Sequence, residues 1–323
     1  MLEKIQALLV NWMRRKKEMD LERKIFLVDK EIKSPSENLA INKYYVSLVK
    51  EGKYDLITRV YSHSNGIILG YNESINDVYM DFCNKNRHEV VRRFTGGSAV
   101  VVDPETSLSY TLIFNPENLG MRKDITMLYK KITIPLAKNL GKNVTVEGTY
   151  YLRIRRNGYS VPFAGHAINM HDGDVVQFDG IINRTSFDTD HLSRVLKLRE
   201  LYLLNGVKYI KSDGKIYDLK GSQVNLLNLK QANLLRSEID ELKKVQGLKE
   251  IGIDDSKFID LFRKTIKDVF GEVTERHIQI NQSSLSLLQR EIKNNTKGGT
   301  KAGLGHCYID FLEPEPRIHY DIT

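Results

Sequence analysis

The chain has 323 residues, enough for one large domain or two, and 41% apolar residues, enough for a packed core rather than a disordered tail. Lys plus Arg exceed Asp plus Glu by 49 to 41, a formal charge of +8 that suits nucleotides, nucleic acid or an acidic protein as partners. Its two cysteines, Cys83 and Cys307, lack metal-site spacing and no run of about 18 apolar residues occurs, so a reduced, cytoplasmic protein without a membrane span is expected.

Residues Leu2 to Lys24 place Ile5, Leu8, Leu9, Trp12 and Met13 at helical spacing, opposite Arg14, Arg15, Lys16 and Lys17. Such a helix fits either a basic arm for membrane or nucleic acid, or an extension packed on the main domain. Interleaved Glu3, Glu18, Asp20 and Glu22 favour the extension, over residues 1–24, and with no small-residue cleavage site they argue against a signal peptide.

From Ile25 the pattern turns to short strands and helices. IFLVDKE reads as a first strand, and Ser34 to Glu37 offers cap chemistry before a helix Asn38 to Lys50. Strands Leu56 to Tyr61 and Gly66 to Gly70 precede a helix Val78 to Asn86, whose Cys83 reads as core because nothing nearby supplies a paired base. Beyond Arg92 to Asp103 come a strand Ser107 to Phe114 and a helix Ile125 to Leu140, with a bend or restart expected at Pro135. A strand Val144 to Ile154 leads through Arg155 to a hairpin turn at Arg156 to Gly158. Strands at Ala167 to Met170 and Val175 to Asn183 flank a tight turn, His171 to Asp174.

After Asp188 the chain is expected to be largely helical, with helices Leu227 to Lys244, Phe258 to Phe270 and Ser284 to Ile292. The glycines between Gly298 and Gly305 read as a linker, since no Gly-Lys-Ser/Thr follows a strand. Many strands with few intervening helices predict an α+β domain, a mixed, mainly antiparallel sheet flanked by helices over residues 25–292, with a tail at 293–323.

The segment RRFTGGSAVVVD, Arg92 to Asp103, joins two guanidinium groups, a two-glycine turn and an apolar strand. Glycines let backbone N–H groups approach a ligand, and arginine forks suit carboxylate or phosphate. The same residues also fit a plain turn with solvated arginines.

The segment resembles the RRxxGGGAVxHD signature of the biotin/lipoate protein ligase family, closest to its lipoate-protein ligases. Ser98 stands at the third glycine and Val102 at the histidine. Two further stretches resemble the family in order and spacing. ITRVYSHSNGIILGYNES is similar to its strand and turn, with Asn72 at the Gln/Asn position; FAGHAINMHDGDVVQFDGII is similar to "KxxGsA…HGtlL".

The resemblance implies a class II synthetase-like catalytic fold. It also implies ATP and Mg²⁺, lipoate or octanoate as the acid, and a lysine acceptor on a 2-oxoacid dehydrogenase E2 lipoyl domain or a glycine cleavage H protein. It implies that the Thr95, Gly96, Gly97, Ser98 and Ala99 turn holds the acyl-phosphate, Arg92 gives the principal cationic contact and Arg93 shapes the pocket. Gly165, His166 and Ala167 fall at the family's Gly-Ser-Ala, and Asp179 and Gly180 at its His-Gly.

There are departures. The family lysine aligns with Pro162, and no lysine occurs from Val144 to Leu196; the family Asn-Asp aligns with Tyr150 and Tyr151. Either Arg153, Arg155 or His166 takes over the cationic role, which makes Arg92, His166 and Arg155 the catalytic candidates, or the chain is a non-catalytic paralogue binding acyl group, nucleotide or carrier protein. His166 reads equally as an acid–base group or as a space-filling residue, and metal ligands are unassigned. The related octanoyltransferases use a cysteine thioester, and no cysteine lies between Asn84 and His306. The Gly-Arg-Gly-Arg loop of biotin ligases is absent, as is any nucleic-acid reading motif.

Overall fold

A computed structural model describes residues 21–156, 159–185, 187–188, 200–204, 207–212, 215–218, 244–245 and 247–297. The chain opens on strand β1 (Lys24–Lys33), helix α1 (Pro35–Lys50), β2 (Leu56–His63) and β3 (Gly66–Leu69). Helix α2 (Met80–Lys85), β4 (Glu89–Arg92), β5 (Val100–Val102), β6 (Ser107–Phe114) and helix α3 (Ile125–Leu140) follow. Then come β7 (Val144–Glu147), β8 (Tyr151–Arg156), β9 (Tyr159–His171), β10 (Val175–Asn183) and β11 (Phe187–Asp188). The described remainder holds β12 (Glu200–Leu204), β13 (Val207–Ser212), β14 (Lys215–Asp218), β15 (Lys244–Val245), α4 (Asp255–Phe270), β16 (Thr274–Glu275) and α5 (Gln282–Lys297).

Eight strands form one sheet in the order β16-β1-β2-β6-β10-β9-β8-β7. The β16–β1 and β1–β2 pairings are parallel, and those from β2 to β7 are antiparallel. A smaller sheet, β4-β3-β5, lies beside it. This is the α+β, mainly antiparallel architecture expected from the sequence.

Period-two alternation sorts the large sheet's side chains onto two faces. Phe26, Leu56, Val60, Tyr110, Leu112 and Phe114 meet Leu128, Ile132 and Leu136 of α3 and Phe258, Phe262 and Ile266 of α4. Their neighbours Ile25, Leu27, Ile57 and Ile113 face α1, α5 and the small sheet through Leu39, Tyr45, Val49, Leu285 and Val91. Each fully buried Phe, Leu or Ile contributes about 1.5–3 kcal/mol, so the sheet is held from both sides. Ser34 caps α1 by accepting from the Glu37 amide at 3.2 Å, and Pro35 sits in the first turn, where its missing N–H costs nothing.

Several boundaries differ from the sequence reading. Val144 to Ile154 is two antiparallel strands, reversed through Gly148 and Thr149, both at positive φ (65° and 154°). The strand expected at Ala167 to Met170 is the end of the long β9. Helix α3 runs on through Pro135, because Leu128, Ile132, Leu136 and Leu140 anchor one stripe of it in the core. Residues expected to be helical after Asp188 include the antiparallel set β12-β13-β14. In the sequence Asn205-Gly206 and Asp213-Gly214 stand between these strands, dipeptides whose chemistry favours a hairpin over a helix. Helix Leu227 to Lys244 apart from Lys244, which begins β15, nearly all of the N-terminal helix, the Gly298 to Gly305 linker and Cys307 lie outside the described residues. Among the described residues no helix is long and apolar enough to cross a membrane.

Candidate functional site

Strand registers set Tyr61, Ser109, Ile181, Gly165 and Tyr151 in one row across β2, β6, β10, β9 and β8. The next row carries Arg59, Thr111, Asp179 and Ala167. Between these rows and a roof made by Leu39, Ile68 and the Arg93 to Val100 segment lies a cavity of about 480 Å³. That volume is ordinary for a small-molecule pocket.

The roof is shaped by the connection from β4 to β5. Because β4 runs parallel to β3 and β5 antiparallel to it, the chain must reverse between Arg92 and Val100. Gly97 takes φ +86°, and its carbonyl packs so closely on Gly70 that a Cβ there would overlap it. Arg93 grips the bend: Nη1 donates to the Ile68 carbonyl (3.0 Å), Nη2 to Ser98 (2.8 Å) and Nε to Gly96 (3.1 Å). With the carbonyls so held, no described group accepts from the amides of Gly96, Gly97 or Ser98. Amides of this kind beside a guanidinium are suited to an anion.

Asp179 ties the bend to the sheet. It accepts from Thr95 Oγ1 at 3.0 Å, Thr111 Oγ1 at 2.8 Å and Gln177 Nε2 at 2.9 Å. Burial pushes its carboxyl pKa up, against the lowering effect of those hydrogen bonds and of nearby Arg93. The network continues from Thr111 to the Tyr61 hydroxyl (3.0 Å), to Asn42 (3.0 Å) and to buried Arg59, whose Nη2 pairs with Asp29 Oδ2 at 2.8 Å.

The cavity thus brings together Arg93, Gly96, Gly97, Ser98, Gly165, His166, Ala167, Asp179 and Gly180, with Thr95 directly behind. Four other expected site residues lie outside the lining. Arg92 does not line the cavity: its Nη1 donates to the carbonyls of Gly70 (3.0 Å), Tyr71 (3.1 Å) and Glu73. Adjacent residues at the end of a strand point to opposite sides, so only one of the two arginines can face the ligand space. Asn72 and Arg155 are exposed outside the lining, and Ala99 lies beyond it on the way into β5. Arg153, the other cation considered, pairs with Glu147.

His166 lines the cavity as a neutral ring rather than a cation. Nδ1 donates to the Tyr150 carbonyl at 2.7 Å, so Nε2 accepts from the Tyr110 hydroxyl. Burial pushes its pKa down to about 4. Gly180 is what admits Tyr110, whose ring would overlap a Cβ at that position. Pro162 pairs with Arg153 in the β8–β9 ladder, at the shift of register after Leu152. Arg93 is the only Lys or Arg lining the cavity among the described residues, and no cysteine lines it. Cys83 is buried with Ile67, Leu69 and Val78 behind the small sheet, where burial pushes its thiol pKa up. Among the described residues no three His, Cys, Asp or Glu side chains cluster as metal ligands.

Sequence reasoning missed Leu39, Tyr61, His63, Ile68, Ser109 and Tyr129, all of which line the cavity. The alternation Arg59, Tyr61, His63 along β2 was the available signal for two of them.

An apolar cavity roofed by a cationic, amide-rich bend has the chemistry to suit a small organic acid or its phosphate ester. A sequence model of the lipoyl protein ligase A/B catalytic domain matches residues 34–220, and the chain belongs to that family. Known members are lipoate-protein ligases or octanoyltransferases, which supports an enzyme of this family.

The bipartite lipoate protein ligase of Thermoplasma acidophilum, solved with its E2 lipoyl domain, has the same fold. It superposes with a TM-score of 0.59 at 16% identity, over 85% of this chain and 92% of that one. A lipoate-protein ligase A bound with ATP gives 0.55 at 16% identity, over 84% and 94%. The octanoyltransferase LipM of Brevibacillus brevis is 31% identical over 116 residues, 34% of this chain and 41% of that protein. The LipM of Carboxydothermus hydrogenoformans is 25% identical over 236 residues, 64% and 86%. The chain therefore spans about two fifths of the Brevibacillus relative.

Proposed function

We propose that this chain binds a medium-chain acid of the lipoate or octanoate class, activates it with ATP and passes the acyl group to a lysine of a lipoyl-acceptor protein. An E2 lipoyl domain or a glycine cleavage H protein is an acceptor of the required kind. The observation that carries the reading is the Gly96 to Ser98 bend, whose amides, without a partner among the described residues, lie beside Arg93 over an apolar cavity.

In the first half-reaction a carboxylate oxygen attacks the α-phosphorus of ATP, the bond to the pyrophosphate oxygen breaks, and pyrophosphate leaves. In the second, the lysine amine attacks the acyl carbon, AMP leaves, and the amine loses a proton. Such phosphoryl chemistry rests on alignment and charge neutralisation, which Arg93 and the bend amides are suited to supply. His166, neutral with both nitrogens engaged, would set the position of the Tyr150 backbone rather than carry charge. Mg²⁺ would arrive with the nucleotide.

Two other readings each have a specific motivation. The curated relatives named above are octanoyltransferases, which favours transfer from a carrier without ATP. Against it stands the lack of a cysteine among the described lining residues. Pro162 at the family's lysine position favours a binder without turnover, for which Pro162→Lys would bring adenylate formation where the unaltered chain shows none.

One experiment separates the three. Purified protein is given an acceptor domain with lipoate or octanoate plus ATP and Mg²⁺, or with octanoyl-carrier protein alone, and the acceptor mass is read. A gain of acyl mass only with ATP supports ligation, and a gain without ATP supports transfer. Acid binding with no gain in either arm supports the non-catalytic reading.

A further inference from the structure

The strongest unassigned feature is a histidine that the acyl chemistry above does not use. Asn38 Oδ1 accepts from Arg59 Nη2 at 2.6 Å, and a guanidinium can only donate, so the orientation of the Asn38 amide is fixed. Its Nδ2 therefore faces His63, 3.1 Å from Nδ1, and also donates to the Ser62 carbonyl at 3.0 Å. An amide nitrogen cannot accept, so His63 Nδ1 is the acceptor and the ring proton sits on Nε2.

His63 is 3% exposed and lines the cavity. Burial, and then the charge of Arg59, push its pKa down to about 3, so the ring stays neutral. No described group accepts from Nε2. Ser109, 5% exposed and also lining the cavity, has a hydroxyl with no described partner. Tyr61 does not compete for these groups, because its hydroxyl is taken by Asn42 (2.9 Å) and Thr111 (3.0 Å).

We propose that the His63 Nε2–H and the Ser109 hydroxyl form a polar end-wall that selects an acid carrying a neutral oxygen acceptor, a hydroxyl or ketone, near the end remote from its carboxyl. The inference rests on the reading of the cavity as an acid site with the carboxyl at the bend. Thr95 fastens that bend to Asp179, in the row of Arg59. His63 lies four residues further along β2, roughly 13 Å at the rise of an extended strand, which suits the length of a medium-chain acid. A plain hydrocarbon tail would leave both polar groups desolvated and unpaired; an oxygen near its tip would satisfy one or both.

Isothermal titration of the full chain with octanoate and with 8-hydroxyoctanoate tests this. The unaltered protein is expected to bind the hydroxy acid about three- to tenfold tighter, the worth of one net hydrogen bond. His63→Phe, which keeps a ring of similar size, reverses the preference, and Ser109→Ala weakens it. Equal or tighter binding of octanoate by the unaltered protein overturns the inference and leaves the acid site standing. A preference that survives in His63→Phe also overturns it; if that variant does not fold, the unaltered protein's preference and Ser109→Ala decide. Failure of both acids to bind overturns the proposed function itself, and this inference with it.

Discussion

The small-sheet side of the cavity presents a permanent cation and amides without a partner among the described residues, whereas the β8–β9 side presents tyrosine rings and a histidine with both nitrogens engaged. The first side is the one to which the proposed function assigns the anion. On the second, the position resembling the family lysine is Pro162, and the exposed Arg155 and the ion-paired Arg153 turn elsewhere. Holding an acid and activating it are separate tasks, since binding that is equal in ground and transition states speeds no chemistry. Here the holding groups are concentrated on one wall, which is why tests of the two walls should give different signatures.

The largest effect is expected from the contact that shapes the holding wall. Gly70→Ala drives a Cβ into the Gly97 carbonyl, and the backbone there can move only by displacing the bend. A loss of about 2–4 kcal/mol in urea unfolding is expected, with loss of octanoate binding. Gly180→Ala is the matched change on β10, beside His166 of the other wall, where the Cβ meets the Tyr110 ring, buried against Phe258 and Phe262. Stability should fall there with weaker consequences for affinity. Equal losses of affinity in both variants would erase the distinction between the walls.

The arginine pair sharpens the comparison further. Arg93→Gln should weaken acid binding about ten- to a hundredfold, the range of a charge-assisted hydrogen bond. Arg92→Gln should instead lower stability with affinity near that of the unaltered chain, because its guanidinium braces the Gly70 to Glu73 carbonyls. Titration calorimetry beside urea unfolding separates the two outcomes; the reverse pattern would restore Arg92 as the ligand-facing cation.

That pair also marks how far the sequence is legible. RRFTGGSAVVVD announces a glycine turn and cations, and the alternating strands Ser107 to Phe114 and Val175 to Asn183 announce the sheet. Which arginine faces the cavity is decided by the parity of β4 relative to β3, a register that only the pairing fixes. His63 and Ser109 are silent for the same reason: they reach the cavity because β2 and β6 are adjacent, at a sequence distance of over forty residues. Tyr150 and Tyr151 were visible as departures, but their role as a wall depends on the turn at Gly148 and Thr149.

Acid titration probes the neutral histidines of the cavity. His166 and His63 have pKa values pushed down from 6.5 to about 4 and about 3, so the unfolded chain takes up their protons first as pH falls. Their stabilisation is complete above about pH 6.5 and is lost as pH falls towards about 4 for His166 and about 3 for His63, the loss amounting to about 2 kcal/mol for each by pH 5. Asp179, with a raised pKa, acts in the opposite sense, its contribution being lost as pH rises through the folded value. Comparing unfolding midpoints of the unaltered chain and His166→Gln between pH 7 and pH 5 isolates the imidazole, since Asp179 is common to both. A difference that does not change with pH would mean that the fold leaves the His166 pKa at its unfolded value, and one that grew in favour of the unaltered chain as pH fell would return His166 to the cationic role on the β8–β9 wall.

The smallest effect is expected from Cys83→Ala. The thiol is fully buried with Ile67, Leu69 and Val78, behind the small sheet and outside the cavity lining. Removing one buried sulfur should cost about 1 kcal/mol, the order of a deleted methylene with its residual cavity. Acyl transfer to the acceptor should persist at the unaltered rate, whichever donor supports it, because burial disfavours the thiolate needed for attack. If mass spectrometry instead found transfer from octanoyl-carrier protein abolished in this variant and ATP-dependent transfer absent from both, the reacting centre would lie behind the small sheet. The cavity wall bearing Arg93 would then hold no reacting acid at all, which is why so mild a substitution tests the contrast between the walls.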